Sequence, residues 1–205
     1  TTREGATLLV WNITETEQEL ESLCLSQLSA LPSLSRIKHP LRRRQKLVSS
    51  LLIGLMTNGK QHGTAYSPAG KPYLEAHNPI SFSNCKTAVA MISHSQEIGI
   101  DLEEHDERTL RIRDRFLHEN ERKWMTISDL NNKEALIWGV KESLFKAIGG
   151  GGIEFKTQLE VLLPEISDSG NSGEGWAYYH SNTEKRAFRY YFRNLADLLL
   201  VYAIA

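Results

Sequence analysis

The sequence predicts a mixed α/β (α+β) protein made of two halves that meet near residue 100. Two observations carry this expectation. The predicted elements run strand, helices, strands, then helices and strands again. The 205 residues are 40% hydrophobic and 24% charged, enough to bury a core and long enough for one large domain or two small halves.

In order, residues 6–13 (ATLLVWNI) are short, apolar and partly β-branched, and read as a strand. Thr14 and Glu17 fit a Thr-x-x-Glu capping box, and Leu20, Leu23, Cys24 and Leu28 follow at helical spacing, giving a helix over 15–29. A second helix runs from Pro40 to Met56 on the stripe Val48, Leu51, Leu52 and Leu55. Its first turns carry Arg42, Arg43, Arg44 and Lys46, which read either as a solvated face or as a small anion site. Gly59, Gly63, Pro68, Gly70, Pro72 and Pro79 make 57–79 loop and turn. Residues 87–93 and 98–102 read as strands joined by a Ser-His-Ser-Gln-Glu turn. Residues 107–149 are helical with interruptions, ended by four glycines at 149–152. Strands are expected at 158–163, 175–180, 186–193 and 197–204.

Composition narrows the function classes. Lys and Arg number 24 against 25 Asp and Glu, a net charge of -1, so no basic field exists for non-specific nucleic-acid binding. Cys24 and Cys85 form no CxxC pair, against a disulfide framework or zinc knuckle. No apolar run approaches the roughly 18 residues of a membrane helix, and TTREGATLLVWN lacks a signal-peptide plan, so a cytoplasmic protein off the membrane is expected.

Two stretches concentrate chemistry. In Ile98-Gly99-Ile100-Asp101-Leu102-Glu103, the period of two puts the aliphatic residues on one face of a strand. Gly99, Asp101 and Glu103 lie on the other, the glycine leaving room for a ligand. Two neighbouring carboxylates repel unless a hard cation neutralises them, and an ordinary charged strand edge is the competing reading. In Trp138-Gly139-Val140-Lys141-Glu142-Ser143-Leu144-Phe145-Lys146, one helix face carries Trp138, Glu142, Phe145 and Lys146. A plain Glu–Lys surface pair would explain it as well. Together, three carboxylates and a lysine suit metal-assisted phosphoryl-type transfer.

IGIDLE at 98–103, followed about 35 residues later by WGVKESLFK at 138–146, resembles the 4'-phosphopantetheinyl transferase superfamily, most closely its larger, synthetase-activating type. The likeness covers roughly 36–163, including the basic helix and a Gly70-Lys71-Pro72-Tyr73 turn. The resemblance implies a pseudo-duplicated fold: an N-terminal half (1–100) for the coenzyme A phosphate and adenine side, a C-terminal half (101–205) for metal and catalysis, and the site in the cleft between them. It implies transfer of the phosphopantetheine arm of coenzyme A to a serine of an apo acyl or peptidyl carrier protein, in fatty acid or secondary metabolite biosynthesis. Asp101, Glu103 and Glu142 would hold Mg²⁺, with Mn²⁺ as the alternative ion. Glu142 would take the serine proton, and Lys146 would meet the charge on the departing phosphate. Arg43, Arg44, Lys71, Ser83, Asn84 and Lys141 would contact coenzyme A. A monomer is expected.

The chain departs from the family pattern twice. Relatives carry Ile-Ser-x-Ser-His-Ser before the metal-binding Asp. Here the slot reads Ile80-Ser81-Phe82-Ser83-Asn84-Cys85, so an uncharged Asn84 stands where a histidine is expected. The literal Ile92-Ser93-His94-Ser95 falls in the predicted turn and reads as a decoy. An arginine usual farther along the basic helix is replaced by Ser50 and Leu51. These departures leave a second reading open: a non-catalytic relative that binds carrier protein or nucleotide.

Overall fold

A computed structural model describes residues 2, 4–28, 31–57, 64–67, 71–74, 78–105, 107–127 and 130–205. The elements are β1 (Thr7–Asn12), α1 (Glu17–Gln27), α2 (Pro40–Met56), β2 (Thr64–Tyr66), β3 (Pro72–Leu74), β4 (Ile80–Asn84), β5 (Ala88–Ser93) and β6 (Ile98–Glu104). There follow α3 (Arg108–Phe116), α4 (Glu119–Ile127), α5 (Lys133–Ile148), α6 (Phe155–Gln158), β7 (Leu159–Val161), β8 (Glu165–Ile166), β9 (Ser172–His180), β10 (Lys185–Leu195) and β11 (Leu198–Ile204).

Two antiparallel sheets are stacked between two helical layers. One sheet has the order β1-β5-β4. The other runs β6-β11-β10-β9-β7, with β8 on β9. The alternation of side chains explains the layering. Ala88, Ala90 and Ile92 of β5 face inward against Ile98, Ile100 and Leu102 of β6 and against Leu198, Leu200, Tyr202 and Ile204 of β11. The opposite face of β5, Val89 and Met91, is covered by Leu20 and Cys24 of α1 and by Leu47, Val48, Leu51 and Leu52 of α2. The opposite face of β11, Leu199, Val201 and Ala203, is covered by Ile137, Val140, Leu144 and Ala147 of α5. Both central strands are buried on both faces, which is why TAVAMIS and LLLVYAI read as unbroken apolar runs.

The mixed α+β class agrees with the sequence expectation, and several details correct it. Thr16 and Glu19, not Thr14 and Glu17, form the capping box of α1. The expected loop over 57–79 contains the β2–β3 hairpin, and Ile80–Asn84 is a strand. Gly59, Gly63, Pro68 and Gly70 lie outside the described residues. The expected division near residue 100 falls inside β6, and the chain passes between sheets at the 94–97 turn. His94 serves that turn: its Nδ1 accepts from the Gln96 N–H, and its Nε2 lies 3.2 Å from the Glu4 carbonyl oxygen. Cys24 and Cys85 are free thiols. Among the described residues no helix is long and apolar enough to cross a membrane.

Gly99 is also reassigned. A Cβ at this position would stand 1.9 Å from the Ser143 carbonyl oxygen and 2.7 Å from the Ala147 nitrogen. The glycine makes room for the backbone of α5, not for a ligand. Gly139, across the same contact, would meet Val201 at 2.9 Å. These two glycines let α5 lie directly on β6 and β11, which brings the two motif stretches together.

Candidate active site

Strand β6 delivers Asp101 and Glu103 toward α5, and α5 delivers Glu142 and Lys146 toward β6. Asp101 is 4% exposed. Its Oδ1 accepts from Lys146 Nζ at 2.7 Å and from the Ser83 hydroxyl at 2.9 Å. Lys146 Nζ also donates to the Ile100 carbonyl at 2.9 Å and to Ser83 Oγ at 3.2 Å. The lysine and aspartate thus form a part-buried pair at the seam between the sheets. Asp101 Oδ2 is buried and, among the described residues, has no hydrogen-bond partner.

Glu103 accepts from the Trp138 indole N–H at 2.8 Å and pairs with Arg108 at 3.1 Å. Burial and then the charge of Asp101 push its carboxyl up to about 7. Glu142 is half-buried and accepts no hydrogen bond among the described residues. Burial, followed by the charge of Asp101, raises its pKa as well. Glu103 and Glu142 therefore both sense the charge of Asp101, and the burial of Asp101 sets this strand apart from an ordinary solvent-facing edge.

Three buried or half-buried carboxylates, one with an orphaned oxygen, are a donor set of the hard-oxygen type that suits a divalent cation. Among the described residues, however, no group of three or more His, Cys, Asp or Glu side chains is drawn together closely enough to hold a metal ion. Lys146 and Arg108 supply the positive charge at Asp101 and Glu103 in this arrangement.

The expected coenzyme A contacts divide. Lys141 does not face the cleft. It is fully buried, paired with the fully buried Glu121 at 2.9 Å, and donates to the carbonyls of Phe116 and Phe155. Arg43 is engaged within the N-terminal half, on Glu17 and on the carbonyls of Leu34 and Ile37. The Arg43 hydrogen bond, helped by the charge of Arg44, holds Glu17 below the usual carboxylate range. Ser83 is 7% exposed. It donates to Asp101 and accepts from the Leu102 N–H and from Lys146, using its one donor and both lone pairs, so it has no capacity left for a ligand.

Lys71 is half-buried and donates to the Ala147 carbonyl at 2.7 Å, placing its charge at the negative end of α5. Burial lowers its pKa. Asn84 is exposed at the end of β4, and its Oδ1 accepts from Arg42 at 2.8 Å. Arg42 is therefore the arginine beside the Asn84 slot, a position the sequence left among four basic residues. The roles of Arg108 and Glu121 were also missed. Arg108 lay one element beyond the motif. The placing of Lys141 between Ile137 and Leu144 on the apolar stripe was the available signal for a buried partner such as Glu121.

Part of the chain is similar to known proteins. Residues 97–196 match the 4'-phosphopantetheinyl transferase superfamily. A protein named 4'-phosphopantetheinyl transferase gsp, from Aneurinibacillus migulanus, is 36% identical over 87 residues, which are 40% of this chain and 36% of that protein. The chain therefore matches little more than a third of that relative's length. The family match, residues 97–196, begins just before β6 and spans α5, the two elements that bring Asp101, Glu103, Glu142 and Lys146 together. Over residues 97–196, just under half of its length, the chain is similar to the 4'-phosphopantetheinyl transferase superfamily.

Proposed function

We propose that the protein transfers the 4'-phosphopantetheine arm of coenzyme A to a serine of an apo acyl or peptidyl carrier protein, as a transferase of the larger, synthetase-activating type. The observation that carries this reading is the convergence of Asp101, Lys146 and Glu142 across the seam between two sheets, with an orphaned carboxylate oxygen at its centre.

In the reaction, the serine Oγ attacks the phosphorus that bears the pantetheine. An O–P bond forms to serine, and the P–O bond to the bridging oxygen breaks. Adenosine 3',5'-bisphosphate leaves with that oxygen. Glu142 suits the base that receives the serine proton: among the described residues it carries no competing hydrogen bond, and its raised pKa favours holding a proton. Lys146, anchored on Asp101, Ser83 and Ile100, is fixed before substrate arrives and offers its charge to the departing phosphate. Asp101, Glu103 and Glu142 are not gathered closely enough to hold an ion as they stand; they would be the ligands were Mg²⁺ bound with substrate, and the ion would then supply charge neutralisation for the pyrophosphate. On the coenzyme A side, Lys71, Arg44, Asn84 and Arg42 are the candidates for phosphate and adenine. The N-terminal half (1–100) serves this side, and the C-terminal half (101–205) serves the chemistry. The packing of α2 on β5 and of α5 on β11 supports reading the halves as a duplicated unit.

The test is incubation of apo carrier protein with coenzyme A and Mg²⁺, followed by intact mass measurement. The reading predicts a mass gain of one arm on the carrier serine, abolished by Glu142→Ala. Carrier binding without any mass gain would instead favour the non-catalytic alternative.

A further inference from the structure

Lys141 and Glu121 are charged side chains buried completely and away from the seam. Their contacts are saturated. Lys141 Nζ has three N–H donors and three acceptors: Glu121 Oε2 at 2.9 Å, the Phe116 carbonyl at 2.6 Å and the Phe155 carbonyl at 2.8 Å. Glu121 also accepts from the backbone N–H of His118 at 2.7 Å and of Val161 at 2.8 Å. One ion pair therefore ties α5 to the end of α3, the start of α4, the start of α6 and β7.

The two residues whose carbonyls receive Lys141 also hold Trp138. The Phe116 ring meets the Trp138 ring edge-on at 5.2 Å, and the Phe155 ring lies 5.4 Å from it. The Trp138 indole N–H in turn holds Glu103. A continuous packed path thus runs from Lys141 through Phe116 and Phe155 to Trp138 and Glu103. On α5 itself, Lys141 precedes Glu142 and lies between Trp138 and Lys146, so the fixed ammonium also sets the roll of the helix at the site residues.

We propose that the Lys141–Glu121 pair is a positioning device: it orients Glu103 through Phe116, Phe155 and Trp138, and sets the roll of α5 that presents Glu142 and Lys146. A buried pair between charges is a poor source of stability, because desolvation offsets most of the attraction, so its cost is better explained by the geometry it fixes. This inference rests on the transferase reading for its kinetic consequence and not for its structural one.

The test uses Lys141→Met/Glu121→Gln, which removes both charges together and leaves neither buried alone. The Trp138 indole cross-peak in a nitrogen–proton correlation spectrum, identified by its loss in Trp138→Phe, reports the site independently of activity. The expected result is a folded protein with a shifted or broadened Trp138 cross-peak. Its transfer kcat is at least tenfold lower, and its KM for coenzyme A is within twofold of the wild type. A folded variant whose Trp138 cross-peak or kcat stays at the wild-type value overturns the proposal. So does a rise in KM alone, which would place Lys141 on the ligand. Should the double variant not fold, Glu121→Gln alone is measured against the same outcomes. If the wild type transfers nothing, the transferase reading fails while the Trp138 cross-peak still decides the positioning.

Discussion

Replacing Gly99 by alanine is expected to separate the two motif stretches. The added Cβ would lie 1.9 Å from the Ser143 carbonyl oxygen. Ordinary contacts lie near 3.5 Å, so α5 must retreat from β6 by roughly 1.5 Å. Both neighbours are helix backbone, which cannot swing aside as a flexible side chain would. Overpacking of this kind costs about 1–3 kcal/mol, or more. For a chain of this size, 3 kcal/mol corresponds to a fall in Tm of roughly 6–12 °C. The activity loss should be larger than the stability loss implies, because a displacement of about 1 Å at a catalytic group can cost on the order of 100-fold. The retreat would pull Glu142 and Lys146 from Asp101 and Glu103. Gly151→Ala is the control: its φ of +89° imposes left-handed strain of about 1–2 kcal/mol, but nothing lies within 4 Å. Thermal unfolding and the carrier mass assay, run below the midpoint of both variants, compare them. If folded Gly99→Ala transfers at the wild-type rate, the close approach of α5 to β6 does not position the site, and the reasoning fails.

Other substitutions test the reassigned residues. Ser83→Ala should destabilise by about 1–3 kcal/mol in urea unfolding, since it strips the Leu102 N–H of its acceptor and Asp101 of a donor at a buried site. Arg42→Ala should raise the KM for coenzyme A about tenfold with kcat unchanged, the size of one charge-assisted phosphate contact. Arg43→Ala should lower Tm and leave that KM alone, because Arg43 is held by Glu17; the opposite pattern would restore the expectation from the motif. Burial, with help from the charges of Lys141 and His180, lowers the pKa of His118, while Glu160 and Glu119 oppose it. The unfolded chain then binds a proton more readily than the folded one, so this contribution is complete above the unfolded pKa near 6.5 and is lost as pH falls below it. His118→Asn should flatten the decline in Tm between pH 7 and pH 5, and an unchanged slope would remove His118 as its cause.

Much of this arrangement was legible in the sequence because the strand and helix periods are rigid. A period of two correctly placed Ile98, Ile100 and Leu102 on a buried face and Asp101 and Glu103 on the other. Helical spacing correctly grouped Trp138, Glu142, Phe145 and Lys146, the half-buried residues of the otherwise buried stretch from Ala135 to Ala147. What was not legible depended on contacts between distant segments. Thr14-x-x-Glu17 and Thr16-x-x-Glu19 are equally good capping boxes on paper, and the structure forms the second. Spacing alone does not reveal that Gly99 faces helix backbone, that Lys141 meets Glu121, or that Glu17 occupies Arg43. Each contact is made across at least twenty residues of chain. Ser83 illustrates the same point: its motif position marks it as important, and only its three hydrogen bonds show that it acts on Asp101.

The central claim is that Asp101 and Glu142, delivered by separate segments, work as one unit. A double-mutant cycle on the transfer rate tests it directly. Asp101→Asn and Glu142→Gln should each lower kcat by at least about 100-fold, and the double variant should be little worse than either alone, as expected of groups that act together. If the two losses simply multiply, the two carboxylates act independently, and the single site described for this fold is contradicted.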